Sequence, residues 1–238
     1  MPTALSVNLN KVALLRNQRA LTIPSITDAG RVAVDHGAAG LTVHPRPDQR
    51  HIRADDVHPL AELCRALNVE FNIEGNPFEG RFIEHCRTSK PTQATLVPDA
   101  PGQNTSDHGW DLAADADRLK PVIAELQSFG CRVSLFVDHD ADMPAAKDTG
   151  ADRVELYTEP YASGQTDVAA FADAAGRATA AGLGVNAGHD LNLDNLPPFL
   201  ASVSNVSEVS IGHALIADAL FHGLPHTVAR YAAICANG

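Results

Sequence analysis

Short apolar runs recur along the chain, and most are followed by a stretch whose apolar positions fall three or four apart. Leu5-Ser-Val-Asn-Leu9, Gly40-Leu-Thr-Val-His44, Val69-Glu-Phe-Asn-Ile73, Gln93-Ala-Thr-Leu-Val97, Cys131 to Val137, Asp152 to Tyr157, Leu183-Gly-Val-Asn-Ala187 and Glu208-Val-Ser-Ile211 read as strands. Between them, Ser25 caps a helix running to about His36, where Gly37 stops it. Asp55 and Asp56 open a helix that places Val57, Leu60, Leu63 and Leu67 on one face. Further helices are predicted over 78–86, 115–129 and 167–181, with a short one around Ala145 and another starting at Ala214. Two stretches read as loops: a polar one through Arg16, Asn17 and Arg19, and Pro98 to Trp110, which exceeds the usual connection and points to a functional loop.

Strict strand–helix alternation forces parallel strands, and eight such units without a linker predict one closed (β/α)8 TIM barrel domain over residues 1–238. An open doubly wound sheet is the second reading. It would announce a Gly-x-Gly-x-x-Gly turn after its first strand, and neither that nor a Gly-Lys-Ser/Thr phosphate loop is present.

Composition narrows the class. A net charge of −11 argues against nucleic acid or an anionic membrane as partner, while leaving room for a small phosphorylated substrate held by one or two arginines. Cys64, Cys86, Cys131 and Cys235 are scattered, with no Cys-x-x-Cys pair, as in a protein of a reducing cytoplasm. Met1-Pro-Thr-Ala-Leu-Ser runs straight into a strand with no basic, apolar leader.

The chemistry gathers where strands end. Asn8 and Asn10 follow the first strand, His44 and Arg46 the second, and Glu74 the third; Thr105 lies in the loop after the fourth. Glu155 is on the sixth strand, His189 follows the seventh, and Gly212-His213 the eighth. Each has a bland reading: the His44–His51 loop as a solvated basic turn, Glu155 as an ion-pair partner, His189 as a turn residue. Their joint placement at the C-terminal mouth, where barrel sites form, is what points to a site. Three histidines with Glu74 have the makings of a zinc site. Yet Asn8-Leu-Asn10 stands where barrel metallohydrolases carry His-x-His, and Arg46 beside His44 repels a cation. Metal-free acid–base chemistry on phosphorylated substrates is favoured. Arg46, His51 and Thr105 offer one anion site, and Gly212-His213 at a helix start, with the Gly188 turn, offers another.

Val7-Asn8, Leu15-Arg-Asn-x-Arg19, Thr42-Val-His-x-Arg46, Arg50-His-Ile52, Asn72-Ile-Glu74, Leu96-Val-Pro98, Val133-Ser-Leu-Phe136, Val185-Asn-Ala-Gly-His189 and Ile211-Gly-His-Ala214 together resemble the pyridoxine 5′-phosphate synthase family, in order and over essentially the whole chain. The resemblance implies a (β/α)8 barrel that condenses 3-amino-2-oxopropyl phosphate with 1-deoxy-D-xylulose 5-phosphate. Products are pyridoxine 5′-phosphate, inorganic phosphate and water, with no metal or organic cofactor, in a homo-oligomer of octameric type. It implies His44 and Glu74 as general bases, His189 as proton donor and Glu155 as stabiliser of a charged intermediate. Asn8, Arg19, Gly212 and His213 would hold the amino-ketone phosphate; Arg46, His51 and Thr105 would hold the sugar phosphate. Two departures stand out: Asn10-Lys11 where the family has Asp-His, and Asp190 where it has glycine, both facing substrate. Rival readings are a metal-dependent aldolase or epimerase, separable by metal analysis, and a non-catalytic phospho-ligand-binding descendant, separable by a turnover assay.

Overall fold

The computed structural model describes residues 2–238; Met1, part of the start expected to carry no leader, lies outside them. Eight parallel strands close into a barrel in chain order. They are β1 (Ala4–Asn8), β2 (Gly40–Val43), β3 (Glu70–Gly75), β4 (Gln93–Leu96), β5 (Arg132–Val137), β6 (Arg153–Tyr157), β7 (Gly184–Gly188) and β8 (Val206–Ile211). Closure pairs Ala4 with Glu208 and Val7 with Ile211. The helices outside are α1 (Asn10–Asn17), α2 (Ile26–Asp35), α3 (Ala54–Leu67), α4 (Phe82–Ser89), α5 (Leu112–Ser128), α6 (Met143–Asp148), α7 (Glu159–Ala162), α8 (Val168–Ala180), α9 (Leu196–Ser202), α10 (His213–His222) and α11 (Leu224–Asn237).

Local chemistry explains most boundaries. Ser25 Oγ accepts from the Asp28 N–H and starts α2, while Asp111, Asp142 and Asp167 cap α5, α6 and α8 in the same way. The predicted face of α3 is buried at Val57, Leu60 and Leu63. The polar loop expected through Arg16 and Asn17 is instead α1. Its N-cap residue, Leu9, has no capping side chain, and its buried positions, Val12, Ala13 and Arg16, include an arginine, so the usual sequence signals are missing. α9 and α11 open with prolines in their first turn and were likewise not foreseen.

The strand starts carry a closed polar network. Arg132 Nη2 lies 2.5 Å from Glu70 Oε1 and 2.7 Å from Gln93 Oε1. Gln93 receives the Asn186 amide at 3.2 Å and donates to Glu208 Oε1 at 3.4 Å, while Arg153 Nη1 donates to Asn186 Oδ1 at 2.8 Å. Gln93 on β4 reaching Glu208 on β8 joins strands that are not neighbours, so these bonds cross the barrel interior.

Candidate active site

His44 stands one residue beyond β2 and is buried. Its backbone N–H donates to Asn10 Oδ1 at 2.9 Å, and the Asn10 N–H donates to Asn8 Oδ1 at 2.9 Å. The first turn of α1 thus pins the end of β2, and Asn10 and Lys11 open a helix instead of lying in a turn. The imidazole sits between two carboxyls: Nδ1 is 3.8 Å from Glu74 Oε2 and Nε2 is 3.9 Å from Asp99 Oδ2. Burial, then the charges of Arg46, His51 and Arg50, push the His44 pKa well below the ordinary imidazole value. The ring is therefore neutral at pH 7 and able to accept a proton.

The carboxyls across the mouth behave oppositely. Burial first, then Glu155 and Asp99, push the Glu74 pKa well above the carboxylate range, against the pull of Arg46 and a hydrogen bond from Ser210. Glu155 is raised by burial to about 7, and its Oε2 is buried without a hydrogen-bond partner in the protein. Two carboxyls that cannot both ionise cheaply hold a proton near neutral pH and release it when a cation arrives. Asn8 Nδ2 reaches Glu74 Oε2 at 3.4 Å. A Cβ at Gly188 would fall on Glu155 Oε1, so a larger residue there would displace this carboxyl.

On the β2 side, Arg46 is buried and pairs with Asp99 Oδ2 at 2.5 Å, while its Nη1 donates to the Gln103 carbonyl at 3.3 Å. Arg50 pairs with Asp48 and also donates to the Gln103 carbonyl, at 2.9 Å. His51 Nδ1 accepts from the Ile52 N–H at 3.0 Å, which leaves the ring proton on Nε2. Burial, Arg46, Lys11 and Arg50 hold the His51 pKa down at about 4. The loop that carries these groups is tied from below: Arg16 forks onto Asp56 at 2.6 and 2.9 Å, and Asn17 Nδ2 donates to the His51 carbonyl at 2.7 Å. A cavity of about 80 Å³ opens beside His44, Arg46, Arg50, Asn76 and Asp99.

On the β7 side, His189 and Asp190 both adopt positive φ, 90° and 60°. Non-glycine residues rarely adopt that region, and it costs of order 1–3 kcal/mol each. Thr158 holds the turn, its Oγ1 donating to the Gly188 carbonyl at 2.8 Å and the His189 carbonyl at 2.5 Å. His189 Nδ1 donates to Asp190 Oδ2 at 3.0 Å, since a carboxylate can only accept, and Nε2 lies 2.8 Å from Thr105 Oγ1. Thr105 lies in a stretch tied to the Arg46 side, since Arg46 and Arg50 donate to the Gln103 carbonyl and Ser106 Oγ donates to Asp99, and from there its hydroxyl reaches His189. The hydrogen bond from His189, then the charges of His189, His213 and Lys11, lower the Asp190 pKa despite partial burial. Gly212 caps α10, and a Cβ there would press on the Asn8 Cβ at 3.1 Å. His213, an exposed residue, follows as the first of α10, so this helix start stands beside Asn8.

His44, Glu155, Arg46 and His51 thus come together as a buried group with Glu74 partly buried beside His44, and His189, Thr105, Asp190 and His213 stand at the more exposed rim. Lys11 is half-buried and its charge bears on both His51 and Asp190. Arg19 is exposed beyond α1, with no side-chain hydrogen bond to the others among the described residues. Asp99 and Thr158 were missed. Asp99 sits in the long loop flagged as functional, but nothing in Val97-Pro-Asp-Ala100 separates a buried carboxylate from a turn residue. Among the described residues no cluster of three or more His, Cys, Asp or Glu side chains is placed to hold a metal ion.

Residues 5–237 match the family model described as pyridoxal phosphate biosynthesis protein PdxJ. A pyridoxine 5′-phosphate synthase of Xanthomonas campestris pv. campestris (strain B100) is 56% identical over a 251-residue alignment covering 100% of this chain and 98% of that one. One of Albidiferax ferrireducens is 56% identical, covering 100% and 99%. Among solved structures, a tryptophan synthase of Mycobacterium tuberculosis superposes with a TM-score of 0.68 at 15% identity, over 100% of this chain and 94% of that one, a likeness of fold alone. With a match that spans the barrel from β1 to α11, this chain belongs to the PdxJ family of pyridoxal phosphate biosynthesis proteins.

Proposed function

We propose that the mouth of this barrel joins 3-amino-2-oxopropyl phosphate to 1-deoxy-D-xylulose 5-phosphate and releases pyridoxine 5′-phosphate, inorganic phosphate and water. The chain is an enzyme of the pyridoxine 5′-phosphate synthase type, as its family and its relatives' shared name state. The observation that carries the residue roles is the buried cluster in which a neutral imidazole, His44, faces carboxyls of raised proton affinity, Glu74 and Glu155. Imine formation, phosphate elimination and ring closure each move protons. In this reading His44 and Glu74 take them up and His189 delivers one from the opposite rim. Glu155, with an unpartnered oxygen, ionises as a cationic imine forms beside it. Arg46 and His51 take the sugar phosphate, with Lys11 adding charge and Asn10 holding His44. Thr105 joins them when the loop after β4 rearranges around that substrate. Asn8, the Gly212–His213 helix start and the Asp190 turn take the amino-ketone phosphate, and Arg19 reaches it from beyond α1.

Exposed Leu15, Leu21, Ile23, Leu220 and Phe221 support assembly into a homo-oligomer, and four unpaired cysteines fit a reducing cytoplasm. The deciding experiment is a turnover assay with both substrates, following pyridoxine 5′-phosphate. Product from the native chain is the expected result. No product from it, while an Asn10→Asp/Lys11→His double variant makes product readily, would overturn the reading: the barrel would have kept its fold and lost the reaction.

A further inference from the structure

Asp99 is 5% exposed in the loop after β4 and carries two oxygens in contrasting states. Oδ2 is heavily used: it lies 2.5 Å from Arg46 Nη2, accepts from Ser106 Oγ at 3.0 Å and stands 3.9 Å from His44 Nε2. Oδ1 is buried with no hydrogen-bond partner in the protein. The backbone is fixed as well, since Asn76 Nδ2 donates to the Asp99 carbonyl at 3.0 Å. A carboxylate placed only to balance Arg46 gains most when both oxygens are satisfied, and a buried ion pair left half-bonded is a poor contributor to stability. The residue lines the cavity beside His44, Arg46 and Arg50, where a small polar ligand has room. Open acceptor capacity, adjacent to the guanidinium that would hold a phosphate, matches a ligand with a hydroxyl a few bonds from its phosphate. The sugar phosphate is such a ligand; inorganic phosphate is not.

Resting on the synthase reading, we propose that Asp99 determines specificity on the sugar-phosphate side: Oδ2 sets the Arg46 fork, and Oδ1 accepts a substrate hydroxyl next to the phosphate. The carboxylate then has opposite effects on two anions. It attracts the one that brings a hydroxyl and repels the one that does not.

The test is calorimetric binding of 1-deoxy-D-xylulose 5-phosphate and of inorganic phosphate to the native chain, Asp99→Ala and Ser106→Ala, with turnover of the native chain measured alongside. Asp99→Ala is expected to weaken the sugar phosphate by about ten- to a hundredfold, the loss of a hydrogen bond to a charged group. Inorganic phosphate is expected to bind as well or up to about tenfold more tightly, since a competing negative charge at Arg46 is gone. Ser106→Ala, which removes only a hydroxyl donor to Asp99 and leaves its charge, should weaken the sugar phosphate by a smaller factor with inorganic phosphate bound no more tightly, and decides the matter if Asp99→Ala does not fold. Both ligands weakening together would make Asp99 a structural prop of Arg46. Both tightening would make it a charge balance. Either result overturns the proposal. A native chain that binds sugar phosphate but makes no product would instead count against the synthase reading.

Discussion

The two ends of the barrel interior solve the problem of buried charge in opposite ways. At the strand starts, Arg132 and Arg153 are shared among Glu70, Gln93, Asn186 and Glu208. Burial, then the neighbouring Glu70, pushes the Glu208 pKa far up, so this carboxyl keeps its proton. Burial opposes ionisation of Glu70 too, yet hydrogen bonds from Glu208 and Arg132 hold Glu70 below its usual range. Each of these side chains has a partner inside the protein. At the strand ends, Glu155 Oε2 and Asp99 Oδ1 have none, and the His44 ring stands nearly 4 Å from both its carboxyl neighbours. Buried polarity alone therefore does not mark a site. Unpartnered acidic oxygens do: of the buried side-chain atoms left without a partner among the described residues, Glu155 Oε2 and Asp99 Oδ1 are the carboxyl ones and both lie at the strand ends, the others being the hydroxyls of Ser134 and Thr227.

The largest effect that separates the two ends should come from the upper histidines. His44→Asn or His189→Asn is expected to lower kcat by about 10²–10⁴ while leaving the unfolding midpoint near that of the native chain. A near-normal rate at either position would take that residue out of the mechanism. Arg132→Met attacks the lower end and should do the reverse. It strands Glu70 and takes one donor from Gln93, costing about 3–5 kcal/mol in urea unfolding, with kcat of the folded fraction nearly unchanged. A large loss of kcat per folded molecule would erase the division between a structural and a chemical end.

Glu155 gives a pH test of the same contrast. Its folded pKa, about 7, lies above the ordinary carboxylate value of 4.5. The native state thus binds the proton more tightly than the unfolded state, and stability falls as pH rises from about 4.5 to 7 and stays reduced above. Glu155→Gln removes the ionisation. It should be more stable than the native chain at pH 8 by up to about 3 kcal/mol, and no more stable at pH 4. Parallel stability–pH curves for the two proteins would show that Glu155 is not held under this tension.

Much of this organisation is legible in the sequence because parallel strands and capped helices leave periodic marks. His44, Arg46, Glu74 and His189 could be placed from strand ends alone, since barrel topology converts chain order into convergence. What stayed hidden depends on long-range partners. α1 lacks a capping side chain and buries Arg16 for a salt bridge with Asp56, forty positions away. Asp99 earns its place only through Arg46 and Ser106. The Thr105 hydroxyl spans from the loop after β4 to His189, 84 positions away, a pairing no local pattern reveals.

The smallest effect concerns Lys11, where the upper end departs from the family pattern. As the second residue of α1 it is half-buried, and its charge lowers the pKa of both His51 and Asp190, which flank the two proposed phosphate sites. A lysine there offers a phosphate a permanent point charge where an imidazole would offer a titratable one. Solvent screens a half-exposed charge, so its contribution should stay below about 1 kcal/mol. Lys11→Ala is accordingly expected to raise KM for the sugar phosphate by about two- to fivefold, leave kcat nearly unchanged, and flatten the dependence of KM on salt. A second readout comes from His51. With one cation fewer nearby its imidazolium forms more readily, so its pKa should move up from about 4 when followed by NMR titration. If neither KM nor the His51 titration moves, Lys11 points its charge into solvent. The upper end would then bind its phosphates without the one permanent charge that sets this chain apart.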